Sequence, residues 1–163
     1  MRRLIIAIAG ALVLAVANVG IYQKESLVES GRVVLLQLAP VDPRSLMQGD
    51  YMALRFKVAD DAFRGVERET LADGQIVLTM DERNVGSFAR FDNGGPLASN
   101  EVVIRYRVRD GSPKFATNAY FFQEGTAGLY AGARFGEFRV SSSGDAILTR
   151  MRNDKLEPLG PAR

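Results

Sequence analysis

Residues 51–58 read YMALRFKV, and this alternation of apolar and polar side chains points to the class of fold. Successive side chains of a β-strand point to opposite faces of the sheet, so every second residue shares a face. One face is apolar and carries Met52, Leu54, Phe56 and Val58. The opposite face carries Tyr51, Ala53, Arg55 and Lys57. The segment is therefore predicted to be a strand with one face in a core and the other toward solvent or a partner.

Short apolar or alternating segments recur on both sides of this strand. We expect strands at 32–38, 51–58, 75–80, 85–91, 102–108, 135–140 and 146–151, separated by turn-forming residues. After residue 31, helix is favoured only at 60–70 and 125–133. Short strands at close spacing predict a mostly β fold, either an antiparallel β-sandwich or a partly open barrel, with one or two short helices.

The N-terminal segment has a different composition. Residues 4–22 hold no charged residue, and at about 1.5 Å per residue they are long enough to cross a hydrocarbon core of roughly 30 Å. Arg2 and Arg3 precede this run, so the positive-inside rule predicts a cytoplasmic N-terminus. We therefore expect one transmembrane helix in the inner (cytoplasmic) membrane of a bacterium, with the remaining chain in the periplasm or outside.

A cleaved signal peptide is the alternative, because two arginines, an apolar run and the tripeptide Ala15-Val16-Ala17 fit that pattern loosely. The apolar run continues past Ala17, and residues 23–30 contain no Pro or Gly before Gly31, which favours an uncleaved helix. The expected organisation is an anchor with a short helical extension at 1–31, an extracytoplasmic β domain at 32–153 and a loose C-terminal tail at 154–163.

Cysteine and histidine are both absent, which restricts the chemistry. Without them there is no thiol nucleophile, no histidine base, no Ser-His-Asp triad and no thiolate or imidazole zinc site. We expect no metal and no cofactor. Lys and Arg total 21 against 19 Asp and Glu, a net charge of +2, and the arginines are scattered between acids. This balance gives no reason to expect a nucleic-acid partner.

Polar residues concentrate in the segment before the strand at 51–58. Asp42 and Arg44 begin it, and Gln48, Gly49 and Asp50 end it. The glycine permits a positive φ angle, and an aspartate can accept hydrogen bonds from amides of the turn. One interpretation is architectural: an arginine paired with one of the aspartates fixes the register of the strand. The other is a recognition site, because binding residues collect on loops above a rigid sheet.

At this segment the chain resembles the bacterial GDYXXLXY family. The match is Gly49-Asp50-Tyr51, Leu54 and Phe56, preceded by Asp42-Pro43-Arg44. Phe56 departs from the final tyrosine of the pattern. The C-terminal half is also similar, in two stretches that begin at Asn118-Ala119-Tyr120 and at Ala133-Arg134-Phe135. The resemblance implies a membrane-anchored protein without an assigned activity, one that works with a polytopic membrane protein, and it supplies no catalytic residues.

Two hydrolase hypotheses compete with binding. Ser45 with Lys57 or Lys114 as base would be similar to membrane signal peptidases, although the spacing to Gly49 and the flanking residues do not fit their pattern. Asp50 and Glu124 would form a carboxylate pair of the kind that hydrolyses glycosides. For each acid the structural alternative is a cap or an ion pair.

Three consecutive aromatic residues, 120–122, supply a second binding candidate. A strand must send neighbouring residues to opposite faces, so at least one aromatic ring would be exposed unless two packed layers bury all three. The expected function is an anchored domain that binds a membrane partner. Its hypothetical binding residues are Asp42, Arg44, Gln48, Gly49, Asp50, Tyr51, Asn118, Glu124 and Arg134.

Overall fold

The computed structural model describes residues 2–39, 47–48, 51–67, 70–109, 111–117 and 119–161. The helices are α1 (Arg2–Ser30), α2 (Lys57–Ala62) and a 3₁₀ turn (Ala127–Tyr130). The strands are β1 (Arg32–Gln37), β2 (Met47–Gln48), β3 (Tyr51–Ala53), β4 (Gly74–Met80), β5 (Gly86–Phe91), β6 (Glu101–Arg109), β7 (Ser112–Phe115), β8 (Ala119–Phe121), β9 (Phe135–Val140), β10 (Ala146–Arg152) and β11 (Pro158–Leu159).

The described strands form antiparallel sheets in the orders β1-β9-β10-β11, β2-β3-β8 and β5-β4-β6-β7. A parallel backbone pairing of Leu35 with Val85 joins the first sheet to the third. An antiparallel pairing of Leu38 with Phe56 joins the first sheet to the segment after β3. The sheets therefore curl as half-barrels around a shared core. The predicted mostly β, antiparallel architecture is confirmed.

The alternation at 51–58 correctly predicts which side chains are buried, but the strand predicted over the whole segment is wrong. Met52, Leu54, Phe56 and Val58 are all buried, as predicted. The strand, however, ends at Ala53, and α2 begins at Lys57. The amide of Ala59 donates to the carbonyl of Phe56 at 3.0 Å, which turns the chain into the helix. Val58 and Ala62 then share the buried face of α2, since residues four apart lie on one side of a helix.

Other boundaries also differ from the sequence prediction. Residues 112–115 fall outside the predicted strands but form β7, which lies at the end of its sheet, where Pro113 is tolerated. The helix expected at 60–70 is wrong in its bounds, and the one expected at 125–133 is a single 3₁₀ turn. The expected loose tail contains β11, whose Pro158 and Leu159 pair with β10.

Helix α1 stands almost clear of the domain until its last turns, where Leu27 is buried. Apolar side chains along it, such as Leu14 and Val16, are about two-thirds exposed. Among the described residues, no helix has both the length and the apolarity of a membrane span. The predicted transmembrane helix therefore lacks support from the structure.

Gly31 is the single residue between α1 and β1. Its amide donates to the carbonyl of Leu27 at 2.9 Å. A Cβ atom at this position would come within 2.4 Å of that carbonyl oxygen, so the close approach requires glycine.

Candidate functional site

Most of the predicted binding loop lies outside the described residues. This applies to Asp42, Arg44, Gly49 and Asp50, and also to Asn118 in the C-terminal half. Of Gln48, the structure gives the backbone, which pairs with Tyr51 in the β2–β3 ladder. The expected convergence of polar side chains in this loop stays a prediction.

Tyr51, the last residue of the GDY sequence, contacts an exposed aromatic ring. Strands β3 and β8 are antiparallel neighbours, and Tyr51 pairs with Phe121 across them. Their ring centroids are 5.7 Å apart, at an interplanar angle of 40°. Phe121 keeps 68% of its surface exposed although it lies in a strand. The two adjacent rings form an exposed apolar patch, and such patches are typical of contact surfaces, so this pair marks a candidate contact surface.

The two aromatic neighbours of Phe121 are buried and hold β8 in place. Tyr120 and Phe122 are each 8% exposed. Both pack on Tyr130 of the 3₁₀ turn, with ring centroids 5.2 and 5.1 Å away. Burial of all three rings, the outcome that the usual fate of aromatic residues favours, is therefore wrong, and the alternative of one exposed ring is confirmed. Strand alternation, with a core on one side only, forces Phe121 outward.

An apolar groove continues from the exposed ring. It encloses about 370 Å³ and runs between β8 and β10. Its lining comprises Ala116, Thr117, Ala119, Tyr120, Phe121, Ala146, Ile147 and Leu148. β8 lies at the end of its sheet, so the groove lies beside a strand edge. Phe121 and this groove together form the surface that we call the aromatic face.

Arg134 lies where the chain leaves β1 toward the predicted loop. Its backbone carbonyl accepts from the amide of Leu38 at 2.8 Å, and its own amide donates to Arg152 at 2.8 Å. Its exposed guanidinium donates to the carbonyl of Ala133 at 2.9 Å. The structure thus brings Arg134 beside the start of the loop. Glu124 is exposed in a different turn, next to Gly125, whose φ of 78° is positive.

The structure does not test the two hydrolase hypotheses, because one member of each proposed pair lies outside the described residues. Ser45 and Asp50 lie outside them. Lys57 is exposed at the start of α2, and Lys114 lies on β7, where Arg107 of β6 is its cross-strand partner. Within the described part of the chain, no cluster of three acids with metal-binding geometry occurs.

The sequence analysis missed a buried acid, Glu137 on β9. Its side chain is only 5% exposed and accepts from Nε of Arg152 at 2.5 Å. Arg150 approaches it to 3.9 Å, and Thr149 donates to its backbone carbonyl at 3.1 Å. The sequence offered one signal for this pair: the second strand of a β9–β10 hairpin carries Arg150 and Arg152, and the first carries Glu137. Glu137 fixes the β9–β10 pairing.

A second paired acid, Glu101, begins β6. The amide of Ala98 donates to one carboxylate oxygen at 3.0 Å, and Arg90 donates to the other at 2.5 Å. The hydrogen bond from Ala98, followed by that from Arg90, lowers the pKa of Glu101 below its ordinary value of 4.5. Burial, and to a lesser extent the nearby Asp73, raises the pKa of Tyr106 above 10.0.

Comparison with known proteins identifies the family. The family model described as GDYXXLXY protein matches residues 13–151, which include part of α1 and almost all of the β domain. Comparisons with curated proteins and with solved structures give no match. The matched region contains Tyr51, the aromatic face and the buried Glu137. The chain belongs to the GDYXXLXY family.

Proposed function

We propose that this chain is a single-pass, membrane-anchored extracytoplasmic domain whose aromatic face binds a polytopic membrane protein. The observation that carries the proposal is the exposed Phe121, which packs on Tyr51 of the family motif. Interfaces concentrate binding energy in a few aromatic side chains that become buried on association. An exposed ring held between buried neighbours is already fixed in position, so little side-chain entropy is lost on binding.

The anchor is supported by the sequence of α1 and by its exposure. Residues 4–22 lack charge, and the described apolar side chains of this stretch are more than half exposed. An exposed apolar surface of this extent needs lipid or protein to cover it. Arg2 and Arg3 favour a cytoplasmic N-terminus, which would leave the β domain in the periplasm.

A membrane partner follows from the combination of anchor and aromatic face. An anchored domain meets other proteins of the same membrane at raised effective concentration, so a modest interface is sufficient. The resemblance to the family also implies work beside a multi-span protein. The groove next to β8 would accept an extended segment, since a sheet edge offers unpaired backbone groups to an added strand.

Site-specific photo-crosslinking in intact membranes tests the partner. The photoreactive residue replaces Phe121 in one sample and Phe91 in another; Phe91 is a 44% exposed aromatic on β5, away from the aromatic face. We expect one multi-span protein to be captured from position 121 and not from position 91. With the photoreactive residue at Tyr51, the change F121A should abolish capture. Equal capture from both positions, or none from 121, would contradict the proposal.

Membrane association is tested separately by carbonate extraction and flotation of the full chain. The change L12R/L14R places two arginines in the apolar run, each at a cost of roughly 3 kcal/mol at the centre of a bilayer. We expect the variant to leave the membrane fraction. The matched control L129R alters another exposed leucine, on the 3₁₀ turn, and should not change fractionation. Wild-type protein that is extracted by carbonate would refute the anchor.

A further inference from the structure

A cationic cleft lies between the end of α1 and the β6–β7 ribbon. It adjoins the groove of the aromatic face and shares Ala116, Thr117 and Ala146 with it, but the proposed function does not use its basic side chains. It encloses about 400 Å³. Five basic side chains line it: Lys24, Arg105, Arg107, Arg109 and Lys114. Asp145 is the acid in its described lining. We call this surface the cationic cleft.

Strand alternation explains why the arginines share a side. Ile104 and Tyr106 are buried in the core, so Arg105, Arg107 and Arg109 must project from the opposite face of β6. Lys24 is contributed by α1, which the sequence pattern alone did not bring near β6. The cleft is therefore a product of the tertiary fold, which places a helix residue beside a sheet face.

Arg107 and Lys114 are paired directly across the two strands. Like charges in this position repel and destabilise the sheet. Opposite charges are the usual arrangement, and nothing in the packing of β6 against β7 calls for two cations. A bound anion between the strands would convert the repulsion into attraction, because both side chains could donate to it.

Of the three arginines of β6 in the cleft, the first and the last lie beside an acid. Arg105 pairs with Asp145 at 2.9 Å, and Arg109 lies 3.6 Å from Asp73. Among the described residues, Lys24, Arg107 and Lys114 have no ion pair. Within the described part of the chain, the middle of the cleft therefore carries three cations without a paired acid, whereas the whole chain has a net charge of only +2.

The position of Lys24 on α1 sets the depth of the cleft relative to the proposed membrane anchor. Lys24 follows Tyr22, the last residue of the uncharged run, by two positions, or about 3 Å along a helix axis. With residues 4–22 in the hydrocarbon, Lys24 lies among the headgroups, and so do the arginines that share its cleft. Basic residues at this level attract anionic lipids, by about 1 kcal/mol each.

We propose that the cationic cleft binds the phosphate of an anionic phospholipid headgroup, an inference that rests on the membrane anchor proposed above. The phosphate lies between Arg107 and Lys114, and Lys24 contributes the third cation. Free inorganic phosphate shares this chemistry, but the position of the cleft beside the helix exit favours a lipid.

Isothermal titration calorimetry of the full chain in a non-ionic detergent tests the assignment. The probes are dihexanoyl phosphatidylglycerol, dihexanoyl phosphatidylcholine and sodium phosphate. Binding of dihexanoyl phosphatidylglycerol alone, weakened by added salt, would support the proposal. Equal binding of phosphatidylglycerol and phosphatidylcholine would refute an anion site. Inorganic phosphate that binds as tightly as phosphatidylglycerol would show that the ligand is not a lipid, and absence of binding by all three probes would refute the site.

The variant R107Q/K114Q removes the opposed cations and should weaken phosphatidylglycerol binding by about fivefold for each charge. Because it also removes a repulsion, its melting temperature should not fall. The control R64Q/K155Q makes the same charge change on exposed residues outside the cleft and should bind normally. K24Q lies on α1, outside the sheets, and should weaken binding about fivefold. An unchanged affinity in R107Q/K114Q or in K24Q would contradict the assignment.

These soluble probes separate the two proposals. A chain carrying L12R/L14R that leaves the membrane fraction should still bind dihexanoyl phosphatidylglycerol, because the cleft residues are intact. A wild-type chain that stays in the membrane but binds no phosphatidylglycerol would refute the cleft and leave the anchor standing.

Discussion

Glu137 and Arg152 form an ion pair between adjacent strands, with Nε of the arginine 2.5 Å from Oε2 of the glutamate. The glutamate side chain is 5% exposed and the arginine side chain 25%. The same guanidinium donates to the carbonyl of Leu156, in the segment that leads to β11. This pair therefore holds the C-terminal segment and the β9–β10 ladder together.

Replacing Glu137 by glutamine should destabilise the domain strongly. The change removes the negative charge that compensates Arg152 in a mostly buried position, and loss of one charge of such a pair costs about 3 kcal/mol. We expect that loss in the free energy of unfolding, measured with urea on the full chain in detergent. The exposed acid Glu82 offers the control E82Q, which should change stability by less than about 0.5 kcal/mol. A loss below 1 kcal/mol in E137Q would show that the pair is not a structural requirement.

Alanine at Gly136 should also be destabilising, for a steric reason. A Cβ atom there would lie 3.0 Å from Cδ1 of Leu148 and 3.1 Å from the ring of Phe56. Phe56 is buried and packs edge-on against Phe138, so it has little room to retreat. Thermal unfolding should reveal a loss of about 1–3 kcal/mol. G128A is the matched control, because a Cβ atom on Gly128 meets nothing within 4 Å. If both alanine variants melted alike, the packing argument would fail.

Phe121 and Phe122 should respond oppositely to truncation, although they are neighbours. F122A removes a ring that stacks on Tyr130, and loss of a buried phenylalanine costs about 3–5 kcal/mol. F121A removes an exposed ring whose described ring contact is Tyr51, and should cost less than about 1 kcal/mol. Chemical denaturation of the two variants side by side measures the difference. A loss of stability in F121A as large as that in F122A would contradict this prediction and show that the Phe121 ring stabilises the fold.

Acid should destabilise the domain partly through Glu101. Its pKa is lowered in the folded state, so ionised Glu101 stabilises the fold above its ordinary pKa of 4.5. That contribution is lost as the pH falls below this value and through the lowered folded-state pKa. The variant E101Q should therefore show a shallower fall of melting temperature below about pH 4.5. E82Q removes a carboxylate without these hydrogen bonds and should follow wild type. Identical pH profiles for E101Q and wild type would contradict this assignment.

The strands were predictable where one face meets the core and the other meets solvent. β4, β5, β6, β9 and β10 follow the alternation or apolar runs of their sequences, and the strands that adjoin in sequence, β4 with β5 and β9 with β10, pair antiparallel. α2 was not predictable from alternation, because Val58 belongs to the alternating run at 51–58 and also lies four residues before Ala62, which is a helical spacing. A single buried position, Val58, fits either period, and the backbone pairing of Phe56 with Leu38 decides the outcome.

The candidate site was predictable only in part. The motif pointed to Tyr51, and strand geometry predicted that residues 120–122 would divide between two faces, but which ring is exposed depends on where β8 pairs with β3. Glu137 was not found because an acid in a strand resembles a solvent-facing residue until its partner strand is known. The cationic cleft required Lys24 and Arg107, which are far apart in the sequence, to meet in the fold.

The single glycine between α1 and β1 determines how freely the domain can move. A long flexible linker would let the β domain adopt many orientations relative to α1, whereas here the linker is one residue, Gly31. Arg139 of β9 also donates to the carbonyl of Gly31 at 3.1 Å, which ties the joint to the sheet. We therefore expect α1 and the sheet that contains β1 and β9 to move as one rigid body. Any partner that rotates the β domain would also turn α1, and a change in helix tilt would reorient the aromatic face.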